Sequence, residues 1–104
     1  MVVSFTARHG SIPDSVRRHT EDRLQRLSRF ERRPSHAHIY YEAEGPRARA
    51  EAHITVAGGG SFIAAGEADS LRAAVDIALE RAERQLKRER ERYREHQVPR
   101  PQLK

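Results

Sequence analysis

One unbroken run, Ser70 to Glu95, constrains what this 104-residue chain can become. SLRAAVDIALERAERQLKRERERYRE contains neither Gly nor Pro and is built from Ala, Leu, Glu, Arg and Gln, which are strong helix formers. Ser70 or Asp69 can cap its start, and Gln97-Val98-Pro99 closes it. At roughly 1.5 Å per residue the run would measure ~39 Å. Leu71, Val75, Ala78, Leu79, Ala82 and Leu86 recur at helical spacing and make one apolar stripe, which stops at Leu86. The first turns must therefore pack on something. The last turns carry Lys87, Arg88, Arg90, Arg92 and Arg94 among Glu89, Glu91 and Glu95, and are expected to project into water or onto a polyanion. On a helical wheel Arg81, Arg84, Arg88 and Arg92 flank the stripe on one side, while Asp76, Glu80 and Glu83 fall on the back and the other flank. Such a helix is either a solvated surface laced by pairs such as Glu80–Arg84 and Glu83–Lys87, or an electrostatic track for phosphates.

The preceding segments supply the packing partner. Val2 to Ala7 reads as a short strand with Val3, Phe5 and Ala7 on one face, and Arg8-His9-Gly10-Ser11 as a turn. Pro13 and Asp14 then open a helix, where proline is tolerated and an acid complements the dipole. Val16, Thr20, Leu24, Leu27 and Phe30 form its buried stripe. Arg18, Arg26 and Arg29 lie away from that stripe and Arg23 at its margin. Glu31-Arg32-Arg33-Pro34-Ser35 ends the helix, because the residue before Pro34 is pushed out of the helical region.

Three strands follow. His36 to Glu44 alternates, with Ala37, Ile39, Tyr41 and Ala43 on one face and His36, His38, Tyr40 and Glu42 on the other. Arg47 to Ala57 alternates again, with Ala48, Ala50, Ala52, Ile54 and Val56 inward. A two-residue loop at Gly45-Pro46 fixes the register and sets Glu44 opposite Arg47, Glu42 opposite Arg49 and His38 opposite His53. Gly58-Gly59-Gly60 is the next turn, Ser61 to Gly66 the last strand with Phe62 and Ala64 inward, and Glu67-Ala68-Asp69 the lead into the long helix. The order β-α-β-β-β-α, with one apolar face per strand and one stripe per helix, predicts an α+β fold. Two helices pack on one face of a four-stranded sheet, and the C-terminal helix overhangs. Residues 1–96 form a single domain in this reading, and 97–104, with two prolines and no apolar pattern, a disordered tail.

Charge narrows the function. The net charge is +5 and the pI near 10.4, a balance suited to a polyanionic partner. From Asp14 to Arg33 the seven arginines 17, 18, 23, 26, 29, 32 and 33 face four acids, Asp14, Glu21, Asp22 and Glu31. From His36 to Glu67 only Arg47 and Arg49 face four glutamates, 42, 44, 51 and 67. The helical layer is basic and the sheet mildly acidic. Arginine forks suit phosphate oxygens, and few exposed aromatics accompany them, so binding is expected to follow backbone shape more than base identity. With no Cys there is neither a disulfide framework nor a thiol nucleophile, and the start MVVSFTARHG lacks a signal-peptide layout. The expectation is a soluble cytoplasmic protein that uses no cofactor, no membrane and no small-molecule substrate.

The colinear set of Ile12-Pro13-Asp14-Ser15-Val16-Arg17, Ala73-Ala74-Val75-Asp76 and Arg84-Gln85-Leu86, within this element order, resembles the ribosome hibernation-promoting factors. These are also called ribosome-associated translation inhibitors or sigma-54 modulation proteins. The resemblance covers about residues 2 to 96. It implies a translation inhibitor that binds the decoding region of the small (30S) subunit, contacts 16S rRNA where messenger and tRNA would lie, and silences idle 70S ribosomes in stress and stationary phase. By position, Arg23 and Arg26 match basic residues of the family's first helix, and Arg81, Arg84 and Arg88 those of its second; with both helices on one sheet face, these five are expected to form one continuous phosphate-binding surface. Arg29, Lys87 and Arg92 extend the candidate RNA-binding set. Arg72 stands where the family often has Tyr, Ser70 where it has Asp, and Pro13 where it has Thr. The chain looks like a short form, expected to be a monomer off the ribosome.

Three other readings compete. His36, His38 and His53 could converge on the outer sheet face as zinc ligands, but no fixed carboxylate or nucleophile accompanies them, so neither a metal site nor an enzyme is expected. Gly58-Gly59-Gly60 lacks the Lys-Ser/Thr of a phosphate loop. A double-stranded RNA binder unrelated to the ribosome can also carry two helices on one sheet face, and remains the alternative. A helix-pairing module is disfavoured because no apolar seam continues past Leu86.

Overall fold

The computed structural model describes residues 1–8, 10–29 and 33–97; for residue 44 and residues 89–97 it describes the backbone alone. The elements are β1 (Val2–Ala7), α1 (Asp14–Leu27), β2 (Pro34–Glu44), β3 (Arg47–Val56), β4 (Ser61–Ala68) and α2 (Leu71–Gln97). They build the expected α+β fold, a single sheet in the order β1-β2-β3-β4. β1 runs parallel to β2, which α1 makes possible as the crossover, and β2, β3 and β4 are antiparallel.

The hairpin register follows from Gly45-Pro46 as expected: Glu44 faces Arg47, Glu42 faces Arg49 and His38 faces His53. Ala48, Ala50, Ala52, Ile54 and Val56 are buried under the helices, leaving Arg49, Glu51 and His53 on the outer face. The second hairpin turns through Gly58, Gly59 and Gly60 with φ of 90°, 108° and 94°, a region that side-chain-bearing residues avoid, and Val56 N–H closes it on the Gly60 carbonyl at 2.9 Å.

The described parts of both helical stripes are buried, apart from Leu71, which is half-buried at the start of α2. α1 contributes Val16, Thr20, Leu24 and Leu27, and α2 contributes Val75, Ala78, Leu79, Ala82 and Leu86, against Ile39, Tyr41, Ile54 and the sheet alanines. Tyr41 fixes α1 over β2. Its hydroxyl donates to Thr20 Oγ1 at 2.7 Å, and Thr20 in turn donates to the Val16 carbonyl at 2.7 Å. The alanines of β3 and the Gly66 of β4 let α2 settle close to the sheet. Ser70 caps α2, its Oγ accepting from Ala73 N–H at 3.2 Å. After Leu86, fully buried, α2 continues to Gln97, about 16 Å further.

Four details differ from the sequence reading. First, α1 ends at Leu27, short of Phe30, which lies outside the described residues. Ser28 turns the chain by donating its hydroxyl to Gln25 O at 2.6 Å, while Ser28 and Arg29 N–H close tighter turns. Second, β4 extends to Ala68, because Arg49–Glu67 and Ala48–Ala68 continue its pairing with β3. Third, Ala43 is exposed rather than inward, since β1 ends opposite Tyr41 and β2 runs on beyond that cover. Fourth, among the described residues the helical pairs Glu80–Arg84 and Glu83–Lys87 are not made, because Arg84 leans toward β4 instead. Asp76, on the flank of α2 opposite the arginines, meets α1. His9, Arg32 and the proposed tail beyond Gln97 also lie outside the description.

Candidate nucleic-acid interface

The helices run in the same direction. Arg72, at the start of α2, shares a hollow of about 320 Å³ with Ser15, Arg18, His19 and Asp22 of α1, and one turn later Asp76 meets His19 and Arg23. Asp76 Oδ1 lies 2.6 Å from His19 Nε2 and accepts from Arg23 Nη1 at 3.2 Å. The seam between the helices is thus closed by a charge cluster. Arg23, at the margin of its stripe as expected, has a side chain only 20% exposed and is engaged with this carboxylate.

The other flank of α2 carries a different group. Arg81, Arg84 and Arg88, with Gln85, face Phe62, Ile63, Ala64 and Ala65 of β4 across a hollow of about 390 Å³. Arg81 Nη1 donates to the Ala65 carbonyl at 2.6 Å. Among the described residues no carboxylate lines this hollow. Successive turns of α2 place Arg81, Arg84 and Arg88 along it, a spacing that matches a backbone of repeated phosphates rather than a single anion.

The candidate residues therefore do not form one strip. Arg81, Arg84 and Arg88 stand together on the β4 side of α2, and Arg23 lies in the seam on the α1 side. Arg26 is exposed on α1, Arg29 just past its end, and Lys87 on α2. The Arg92 side chain lies outside the description. Sequence reasoning missed Arg18 and Arg72 as a pair bordering one hollow. The only trace was that Arg18 and Arg72 both lie off their apolar stripes, and spacing within one helix says nothing about its neighbour.

The opposite face of the sheet is internally paired. Arg49 donates to Glu51 at 3.1 Å and to Glu67 at 2.9 Å, and Arg8 lies 3.4 Å from Glu51. His53 Nε2 sits 3.1 Å from Glu51 Oε1, and its hydrogen bond, followed by those of the arginines, holds the Glu51 carboxyl below its usual range. Tyr40 is stacked against His38 at 4.3 Å, tilted against His53 at 4.6 Å, and overlain by Arg8 at 4.7 Å. His38 is also bonded to Thr6 Oγ1 at 2.7 Å. Among the described residues no group of three potential metal ligands occurs, so the three histidines do not converge on a metal position. This face offers balanced charge, and the helical face offers unbalanced arginine.

A family model described as "Sigma 54 modulation protein / S30EA ribosomal protein" matches residues 3–94. Among solved structures, the Thermus thermophilus Protein Y N-terminal domain is 32% identical with a TM-score of 0.76, covering 85% of this chain and 98% of that one. A ribosomal subunit interface protein from Coxiella burnetii shares the fold at 24% identity and a TM-score of 0.77, covering 85% of this chain and 96% of its own. Comparison with curated protein sequences finds no match.

Proposed function

Because the chain belongs to the Sigma 54 modulation protein / S30EA ribosomal protein family, we propose that it is a ribosome-associated hibernation factor. In this reading its helical layer docks on 16S rRNA in the decoding region of the small subunit. It then occupies the path of messenger and tRNA in idle 30S and 70S particles. The observation that carries the reading is the row of Arg81, Arg84 and Arg88 in a hollow that no described acid lines, beside a sheet face whose charges cancel. The solved-structure relatives named as Protein Y and as a ribosomal subunit interface protein add support. Arg26, Arg29 and Lys87 extend the basic surface, and Arg92 belongs to the same proposal. The protein acts by occupancy, in the cytoplasm, as a monomer off the ribosome and without catalysis. No described helix is long and apolar enough to cross a membrane.

Sucrose-gradient sedimentation tests this. The full chain should co-migrate with small subunits and monosomes from starved cells. Arg84→Glu or Arg88→Glu should abolish co-migration with the fold intact, since exposed substitutions cost within ~0.5 kcal/mol. Each lost phosphate contact should flatten the log–log salt dependence by about one unit. Reversal at Arg49 should leave binding in place. A nuclease-sensitive signal away from ribosomes would instead assign the chain to general double-stranded RNA binding. Binding insensitive to salt would overturn the phosphate reading.

A further inference from the structure

β4 is an edge strand, and its free edge borders the arginine hollow. The pairing phase decides which backbone groups point outward. The Gly60 carbonyl accepts from Val56 N–H in the adjoining turn, which puts Phe62, Ala64 and Gly66 in phase to bond β3. Ser61, Ile63, Ala65 and Glu67 then direct both N–H and C=O away from the sheet. The Ala65 carbonyl confirms the phase, because Arg81 reaches it from outside at 2.6 Å. An outward row of backbone donors and acceptors is a template for another strand. Arg81 blunts one point of it, which accounts for Arg81 but not for Arg84 and Arg88.

We propose that the β4 edge and the Arg81–Arg84–Arg88 hollow together form a docking site for an extended acidic protein segment, which adds to the sheet as a fifth strand. Strand addition supplies main-chain hydrogen bonds, and alternate side chains supply specificity. One set of the incoming side chains faces α2, where three guanidinium groups and, among the described residues, no carboxylate line the hollow, so those positions are acidic. The other set lies over the outer face beside Ile63, which is 62% exposed, so those positions are apolar. On docking, Arg81 exchanges the Ala65 carbonyl for an incoming carboxylate, and that carbonyl accepts a peptide N–H instead. A second copy of this chain does not fit, because pairing two β4 edges would set one arginine row against another. The site shares Arg84 and Arg88 with the ribosomal surface but depends on β4 backbone that phosphate binding does not use.

A fluorescent peptide of alternating Glu and Val, matched to the 8 residues of β4, is the probe. Binding to the full chain should slow amide exchange at Ser61, Ile63, Ala65 and Glu67 and leave Phe62, Ala64 and Gly66 unchanged. The same peptide N-methylated at alternate residues, which cannot pair as a strand, should bind at least about tenfold more weakly. Ser61→Pro, at the first residue of β4 and outside the lining of the hollow, removes an outward edge N–H and should weaken the unmodified peptide similarly. Ribosome co-sedimentation of Ser61→Pro should be unchanged, which separates this site from the ribosomal reading. Equal binding of both peptides would reduce the site to a polyanion grip and overturn the proposal. So would an RNA duplex that binds the hollow while the peptide does not.

Discussion

Gly66 of β4 lies so close to Ala74 of α2 that a Cβ on Gly66 would stand 2.5 Å from the Ala74 carbonyl oxygen. It would also meet Ala78 N at 2.7 Å and Ile77 Cβ at 2.8 Å. The nearest neighbours are helix backbone, so no side chain can swing away. Gly66→Ala should force α2 off the sheet at a cost of about 2–3 kcal/mol. That corresponds to a fall in Tm of roughly 10–20 °C for a domain of this size. A thermal melt unchanged by this substitution would mean that α2 rides higher on β4 than observed.

The burial of Tyr41 predicts an alkaline limit to stability. Burial pushes the Tyr41 phenol up to about 12 from the ordinary 10.0, so the folded state holds the proton more tightly than the unfolded chain. This contribution is complete below pH 10.0 and is lost as pH rises toward about 12. Tyr41→Phe should remove that part of the alkaline slope in denaturant titrations. At neutral pH it should cost only about 1 kcal/mol, because Thr20 keeps its bond to Val16 O. Identical alkaline slopes for both proteins would refute the assignment.

Asp76 couples the helices through Arg23 and His19. Arg23→Gln should therefore act on stability, by about 0.5–1 kcal/mol, given that both partners are partly exposed. Its effect on the salt slope of ribosome binding should be smaller than that of Arg84→Gln, whose hollow no described carboxylate lines. The reverse ranking would place Arg23 on the RNA and free of Asp76 in the bound state.

Two of the outer-face histidines already have partners: Thr6 for His38 and Glu51 for His53, with Tyr40 stacked on the first and tilted against the second. A Tm unchanged by EDTA is expected, and a drop of several degrees would reveal a structural metal. Glu51 gives this face its own pH dependence. Its carboxyl is held low chiefly by the His53 bond, so the stability it adds is present above the ordinary carboxylate range and is lost as pH falls through the depressed value. Glu51→Gln should flatten that acid limb.

The element order, the α+β architecture and the hairpin register were legible because each rests on a local period. Two-residue alternation places Ala50, Ala52 and Ile54 on one side of β3, a 3.6-residue stripe places Val75, Leu79 and Leu86 on one side of α2, and Gly45-Pro46 leaves one register between the hairpin strands. The end of α1 was less legible, because Phe30 continues the period while the Ser28 hydroxyl competes for the backbone.

Relations between elements carried no such period. Nothing in the spacing of α2 alone states which flank meets α1 and which meets β4. The helical wheel sets Asp76 and Arg81 on different flanks without naming a neighbour for either; one closes the interhelical seam and the other caps a strand edge. The sheet order settles this: α2 sits over the β3–β4 side, so its two flanks face a helix and a free edge. The same packing divides the arginines into separate groups, and it makes Gly66, one residue in an ordinary strand, the point of closest approach between layers. Local periodicity determines which face of an element is buried, whereas the choice of neighbour comes from packing all the faces at once.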